Sequence, residues 1–212
     1  MQRLILTEDG SHSLYSNQFN QQYHSFQGAL SESLHIYIYL GLEPVLLDSA
    51  NPVSVFEMGF GTGLNALLSW QLADRLKKSV QYTSVEAFPV SLQEASLLNY
   101  ETLTEKQGFL KLHELSWNED HRLSEYFYFR KEETTLENYN TKKLFDVIFY
   151  DAFDPKVQPE LWTEDIFAKI AAQTKSMGVL VTYSSKGIVK RALRAVGFEV
   201  KDIPDRVKKR MF

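Results

Sequence analysis

A chain of 212 residues that is 44% hydrophobic and 13% aromatic has enough material to bury a complete core and is expected to form one globular unit. It contains no cysteine, which excludes disulfides, thiolate zinc sites, iron–sulfur clusters and thiol nucleophiles. The net charge of -4 is unevenly distributed: from Lys186 to Phe212 nine Lys/Arg face three Asp/Glu, so the remainder is acidic, and a basic end points to a polyanionic partner or, more plainly, to a solvated helix face.

In chain order, MQRLILTEDGSHS turns polar too early for a signal peptide and no long apolar run follows, so the expected location is cytoplasmic, with no membrane partner. RLILTEDGSHSLYS predicts a hairpin around Asp9-Gly10, and FQGALSESLHIYIYLGL a helix closed by Gly41. These form an appendage, 1–50, on a main unit, 51–212. In the main unit strand and helix alternate. VSVFEM is a strand, Leu64 to Leu76 a helix, VQYTSVEA a strand, and Val90 to Tyr100 a helix opened by Pro89. LHELSWNEDH reads as an irregular excursion before the strand EYFYFRK. FDVIFYD, PELWTEDIFAKIAAQT, GVLVTYSS, KGIVKRALRAV and FEVKDI then read as strand, helix, strand, helix and strand. This alternation predicts an α/β fold, a mostly parallel sheet with helices on both faces and the N-terminal hairpin and helix added. In such sheets ligands sit at the carboxyl ends of the strands.

The turn EMGFGTGLN packs three glycines between a buried strand and a helix, where backbone approaches a ligand closely and N–H groups point outward. A dinucleotide turn would need glycine at 64, where Leu64 stands, and a phosphate loop would need Gly-Lys followed by Ser or Thr. What is present, Glu57-x-Gly-x-Gly-x-Gly, resembles the turn of class I S-adenosylmethionine methyltransferases, which have a Rossmann-like fold. Glu86, at the end of the next strand, suits a carboxylate accepting both ribose hydroxyls; a helix-capping acid is the alternative. With FDVIFYDAF, the resemblance implies S-adenosylmethionine as cofactor. It places Glu57 toward the methionine amino group and the rest of the cofactor on Gly59, Phe60, Gly61, Thr62, Gly63, Asn65, Glu86, Ala87, Phe88 and Asp151.

YDAFDPKVQPELWTEDIF, together with YHSFQGALSES, VEAFP and VTYSSKGIVKRALRAVGFEV, is similar over nearly the whole chain to the methyltransferase module of the MnmC-like enzymes of the tRNA wobble uridine. That resemblance implies methylation of the primary amine of 5-aminomethyl-(2-thio)uridine in the anticodon region. Some members carry a fused flavin oxidase that exposes the amine. The present length leaves no room for one, so a separate enzyme is expected to supply it. On the acceptor side the resemblance places Tyr23, His24, Ser25, Glu32 and Ser33 from the N-terminal segment, Pro155 stiffening the loop, and Tyr183, Ser184 and Lys186 after the fifth strand of the alternation. Phe153 and Trp162 would stack the flipped base or line the core. Lys190, Arg191 and Arg194 form one stripe toward tRNA phosphates or simply toward solvent. None of the five histidines has metal-ligand spacing, so no metal is expected. Where many relatives put an acid for the adenine amine this chain has Thr135, with Glu132 or Glu133 as substitutes, and IPDRVKKRMF implies a short final antiparallel strand.

The chemistry agrees with an amine acceptor. Methylation at carbon 5 of a pyrimidine normally uses a cysteine adduct, which this chain cannot make, whereas an exocyclic amine attacks a methyl sulfonium directly. It must be neutral, and with a lysine-like pKa only about one molecule in a thousand is free base at pH 7, a handicap of roughly 4 kcal/mol. Asp151 is the candidate to bind and deprotonate the ammonium, or else merely caps its loop. The competing readings are a small-molecule amine methyltransferase on the same fold and a catalytically degenerate RNA-binding member.

Overall fold

The structure, a computed structural model, describes residues 2–203. Strands β1 (Arg3–Leu6) and β2 (His12–Ser16) pair antiparallel around Asp9-Gly10 with Leu6 opposite His12, and β2 turns again into the short β3 (Gln21–Gln22). One carboxylate ties this hairpin to the next element. Asp9 accepts from Ser11 N at 3.0 Å and Ser11 Oγ at 2.5 Å, and from Ser31 N and Oγ at 2.9 and 2.8 Å. Partial burial pushes its pKa up, but the bonds from Ser11 and Ser31 prevail and hold it at about 2.

Because this folded-state value lies below the ordinary one, the stabilisation from Asp9 is complete above about pH 4 and is lost as pH falls through about 2. Asp9→Ala should lower the melting temperature by about 2–4 °C at pH 7, from about 1 kcal/mol once solvent screening of an exposed carboxylate is allowed for. The gap between variant and parent should narrow in acid. An equal difference at pH 7 and pH 2 in scanning calorimetry would remove Asp9 from the balance.

The following helix does not close at Gly41. α1 (Ala29–Glu32) passes into π-helical turns at Ser33–Leu42 and continues as α2 (Glu43–Asp48). Gly41 serves close approach rather than termination, since a Cβ there would stand 2.9 Å from Val181 Cγ2 and 3.2 Å from Phe149 Cε1. The missing side chain lets the helix lie on the sheet.

β4 (Val53–Met58), α3 (Leu64–Leu76) and β5 (Val80–Glu86) follow the sequence pattern. The helix expected from Val90 to Tyr100 is instead two pieces, α4 (Leu92–Ala95), capped by Ser91 and Glu94, and α5 (Tyr100–Thr104). A tertiary contact breaks it: Asn99 accepts from His12 N at 2.9 Å and donates to Gly10 O at 2.9 Å, so the segment between them docks the hairpin. The excursion predicted near LHELSWNEDH contains α6 (Phe109–Glu114) and a strand, β6 (Asp120–Arg122), before β7 (Phe127–Glu133). β8 (Phe145–Tyr150), a 3-10 turn at Pro159–Trp162, α7 (Glu164–Ala172), β9 (Thr174–Val181) and α8 (Gly187–Ala195) complete the alternation.

The strand expected at FEVKDI is absent. No described strand pairs with 198–203, and Phe198 and Val200 pack against the core instead. Much of the expected basic end, Arg206, Lys208, Lys209 and Arg210, and the expected final strand lie outside the described residues.

The main sheet has the order β6-β7-β5-β4-β8-β9, parallel except for β6. Alternation assigns its two faces. Val53 and Val55 of β4 and Val147 and Phe149 of β8 join the core under the 29–48 helix, α3 and α6. Phe56, Ile148 and Tyr150 join the core under α7 and α8. Among the described residues no helix is long and apolar enough to cross a membrane.

Candidate active site

The carboxyl ends of β4, β5 and β8 open into a cavity of about 390 Å³, within the size range of small-molecule sites. Its floor is the glycine turn. Gly59 has φ +90°, and a Cβ there would lie 2.8 Å from the Asp151 carbonyl oxygen, so glycine is required for β4 and β8 to approach at their ends. Gly61 has φ +51°, and a side chain on it would meet the Tyr23 ring at 3.2 Å.

Side chains from three elements lock this turn. His24, 8% exposed, lies 3.0 Å from Ser13 Oγ through Nδ1 and 3.5 Å from Thr62 Oγ1 through Nε2. Tyr100 Oη donates to Thr62 Oγ1, and His113 Nε2 donates to the Thr62 carbonyl at 3.1 Å. Burial pulls both histidines down to about 4, so each is a neutral hydrogen-bonding imidazole at pH 7.

Glu86 closes the end of β5. Its carboxylate accepts from Gly61 N at 2.9 Å and Phe88 N at 2.8 Å, while burial raises its pKa against those bonds. The carboxylate lines the cavity with lone pairs left over. Phe60, Thr62, Asn65, Ala87 and the exposed Phe88 share that wall.

Glu57 sits beneath the turn rather than on the wall, 1% exposed, with Oε2 accepting from Ser84 Oγ at 2.7 Å. Burial raises it to about 8 against the Ser84 bond, and the nearby Asp151 charge adds to the rise. Its Oε1 and the Asn65 Oδ1 are buried acceptors with no well-formed hydrogen bond. Two orphaned acceptors beside a turn that ends in Glu86 suit a ligand with a cationic donor at one end and vicinal hydroxyls at the other, which is the donor set of S-adenosylmethionine. Past the end of β7 Thr134, Thr135 and Glu137 line the cavity; Glu132 is paired with Arg130 at 2.7 Å and Glu133 is exposed.

Asp151 lies just past β8, its N–H donating to Met58 O at 3.0 Å. Oδ1 accepts from Tyr37 Oη at 2.6 Å and Oδ2 from Asn65 Nδ2 at 3.0 Å. Burial raises it to about 6 against those two bonds. Among the described residues no lysine or arginine forms an ion pair with it. The site therefore holds a buried carboxylate with no protein counter-cation among the described residues.

Aromatic rings cover the opposite rim. Phe153 packs on Phe19 at 4.7 Å and on Tyr23 at 5.0 Å, and Phe19 meets Phe88 at 5.2 Å. Ser25, Glu32 and Tyr183 also line the cavity; Ser25 N donates to Glu32 Oε1 at 3.2 Å, and Tyr183 Oη donates to Ala152 O at 2.9 Å.

Several acceptor-side candidates stand elsewhere. Trp162 is 2% exposed, packs between Tyr150, Phe167 and Tyr183, and donates Nε1 to Phe153 O at 2.8 Å; it takes the core alternative and supports Phe153 from behind. Ser33 is fully buried, and Pro155 is part of the loop but not of the wall. Lys186 is bound to Asp154 rather than extended into the site. Ser184 and Lys190 line a second groove, of about 1020 Å³, and Lys190 pairs with Asp202 at 2.6 Å. Arg191 and Arg194 are exposed on α8, whose Val189, Ala192 and Leu193 face the core.

The sequence does not single out Tyr37, Phe19 or His113. Tyr37 reads as core within the apolar run IYIYL. Phe19 lies in SNQFNQQ, which carries no periodic signal.

The model of a family described as S-adenosyl-L-methionine-dependent methyltransferases matches residues 101–212. The chain is 31% identical over 204 residues to the tRNA 5-methylaminomethyl-2-thiouridine biosynthesis bifunctional protein MnmC of Pseudomonas syringae pv. syringae, an alignment covering 89% of this chain and 30% of that protein. It is likewise 31% identical over 208 residues to the protein of the same name from Nitrosospira multiformis, covering 90% and 33%. The chain thus spans about a third of the length of these curated relatives. The crystal structure of MNMC2 from Aquifex aeolicus superposes with a TM-score of 0.78 at 25% identity, covering 94% of this chain and 65% of that one.

Proposed function

We propose that this chain, which belongs to the S-adenosyl-L-methionine-dependent methyltransferase family, methylates the primary amine of 5-aminomethyl-(2-thio)uridine at the wobble position of tRNA. The observation that carries this reading is Asp151, a buried carboxylate with no counter-cation among the described residues, on the wall that also holds Glu86. Such a group attracts an ammonium and, near its own titration, accepts a proton from it. The cofactor supplies an electrophilic methyl group.

The chain's residues divide the remaining work. Glu86 and the glycine turn hold the cofactor, with Asn65 and Glu57 offering acceptors to its amino group. Asp151 draws in the ammonium and removes its proton, which leaves the nitrogen neutral with a free lone pair. Phe153, Phe19 and Tyr23 offer π-faces to an extruded pyrimidine and keep bulk water from the nitrogen. The printed names of the relatives support tRNA as the carrier. A preceding reaction exposes the amine, and the proposed setting is the cytoplasm.

The test is transfer of labelled methyl from S-adenosylmethionine to tRNA from cells lacking the wobble modification, against free alkyl amines at equal concentration. Incorporation into tRNA alone supports the proposal; efficient labelling of free amines without tRNA replaces it with small-molecule methylation.

The basic stripe makes a separate prediction. Lys190 is already paired with Asp202, so the phosphate contacts are expected from Arg191 and Arg194. Arg191→Glu with Arg194→Glu should weaken tRNA binding and reduce its log–log salt slope by about two, with cofactor affinity unchanged. An unaltered slope in filter binding would return both arginines to ordinary solvated surface.

A further inference from the structure

The π-helical turns at Ser33–Leu42 have a consequence at the catalytic carboxylate. π-turns widen a helix by a residue and re-aim the side chains that follow, and they concentrate at functional sites. Here they deliver Tyr37, whose ring is 1% exposed and packs on Phe149 with centroids 5.3 Å apart. Phe149 lies on β8 two residues before Asp151, and the Tyr37 hydroxyl beside it reaches Asp151 Oδ1 at 2.6 Å.

We propose that Tyr37 is a positioning residue for Asp151, its hydroxyl pinning one carboxylate oxygen and keeping the group ionised so that the remaining lone pairs meet the acceptor ammonium. The inference rests on the proposed role of Asp151 in methyl transfer. The opposite oxygen is held by Asn65 from α3, so the carboxylate plane is fixed from both sides. A donor that lowers basicity matters here because Tyr37 and Asn65 are the two hydrogen-bond donors that oppose the effect of burial on this carboxylate. Glu57 faces Asp151 from β4, Tyr82 from β5 and Tyr183 from the end of β9, while Glu32 of α1 acts on both Tyr37 and Tyr183. No cation among these groups assists ionisation.

Tyr37→Phe keeps the ring on Phe149 and deletes only the donor. Carbon-13 NMR of labelled aspartate, with the Asp151 signal identified by its loss in Asp151→Asn, should show the Asp151 midpoint moving up by about one unit. The acid limb of kcat/KM should move with it, giving about a fivefold loss at pH 6 and less than twofold at pH 9, with cofactor affinity unchanged. Incorporation of 3-fluorotyrosine at position 37, a stronger donor of nearly the same shape, should move the midpoint down, and it provides the readout if the phenylalanine variant fails to fold. A midpoint unmoved in either variant overturns the inference. A midpoint that moves while the rate profile stays in place upholds the positioning role and removes Asp151 as the base, so the two readings fail separately.

Discussion

Asp151→Asn is expected to lower the single-turnover rate of methyl transfer at pH 7 by at least about a hundredfold, the scale of a lost general base, with cofactor affinity within a few-fold of the parent. The substitution is structurally mild. The introduced amide can turn its oxygen toward the Asn65 amide and its NH2 toward Tyr37, whose hydroxyl rotates to accept, so both neighbours keep a partner. What is lost is the charge. A primary ammonium in a site without that charge is neither attracted nor deprotonated locally, and the roughly 4 kcal/mol cost of finding the free base returns to solvent. The pH profile separates these effects. With Asp151 at about 6, the parent rate should fall only below that pH, whereas the variant should climb about tenfold per unit toward the amine's own pKa. A variant with near-normal rate and a flat profile would make Asp151 structural.

Glu86→Gln is expected to weaken S-adenosylmethionine binding about ten- to hundredfold, with the maximal rate at saturating cofactor little changed. Two causes act together. An ionised acceptor for two hydroxyls becomes a neutral one, and the new NH2 must face either Gly61 N–H or Phe88 N–H, both of which now donate to the carboxylate. The second cause reaches the glycine turn itself, because Gly61 N is one of its outward donors. Isothermal titration reads the affinity directly; an unchanged value would move the ribose away from β5.

Much of this site was legible because its residues stand where alternation of strand and helix puts ligands. Glu57, Glu86 and Asp151 end or follow strands whose apolar runs are unmistakable, and the glycine turn announces itself by composition. The turn's need for glycine was only half visible: Gly59 answers to the carbonyl of Asp151, which lies far away in sequence. Long-range partnership explains the other differences. Asn99 stands between two short helices, where it serves His12 and Gly10, Lys186 is tied to Asp154, and Trp162 is turned into the core by its bond to Phe153. Tyr37 was hidden for a different reason. Within the apolar run it reads as one more core position, and its hydroxyl meets a carboxylate that lies far away in sequence.

The most direct test of amine methylation is the identity of the methylated atom. Wobble-modification-deficient tRNA carrying 5-aminomethyl-2-thiouridine is incubated with the protein and deuterated-methyl S-adenosylmethionine, digested to nucleosides and fragmented by mass spectrometry. One labelled methyl is expected on the exocyclic side-chain nitrogen of the wobble nucleoside. Label on the ring, on a ribose, on another nucleoside or on none would contradict the proposed reaction.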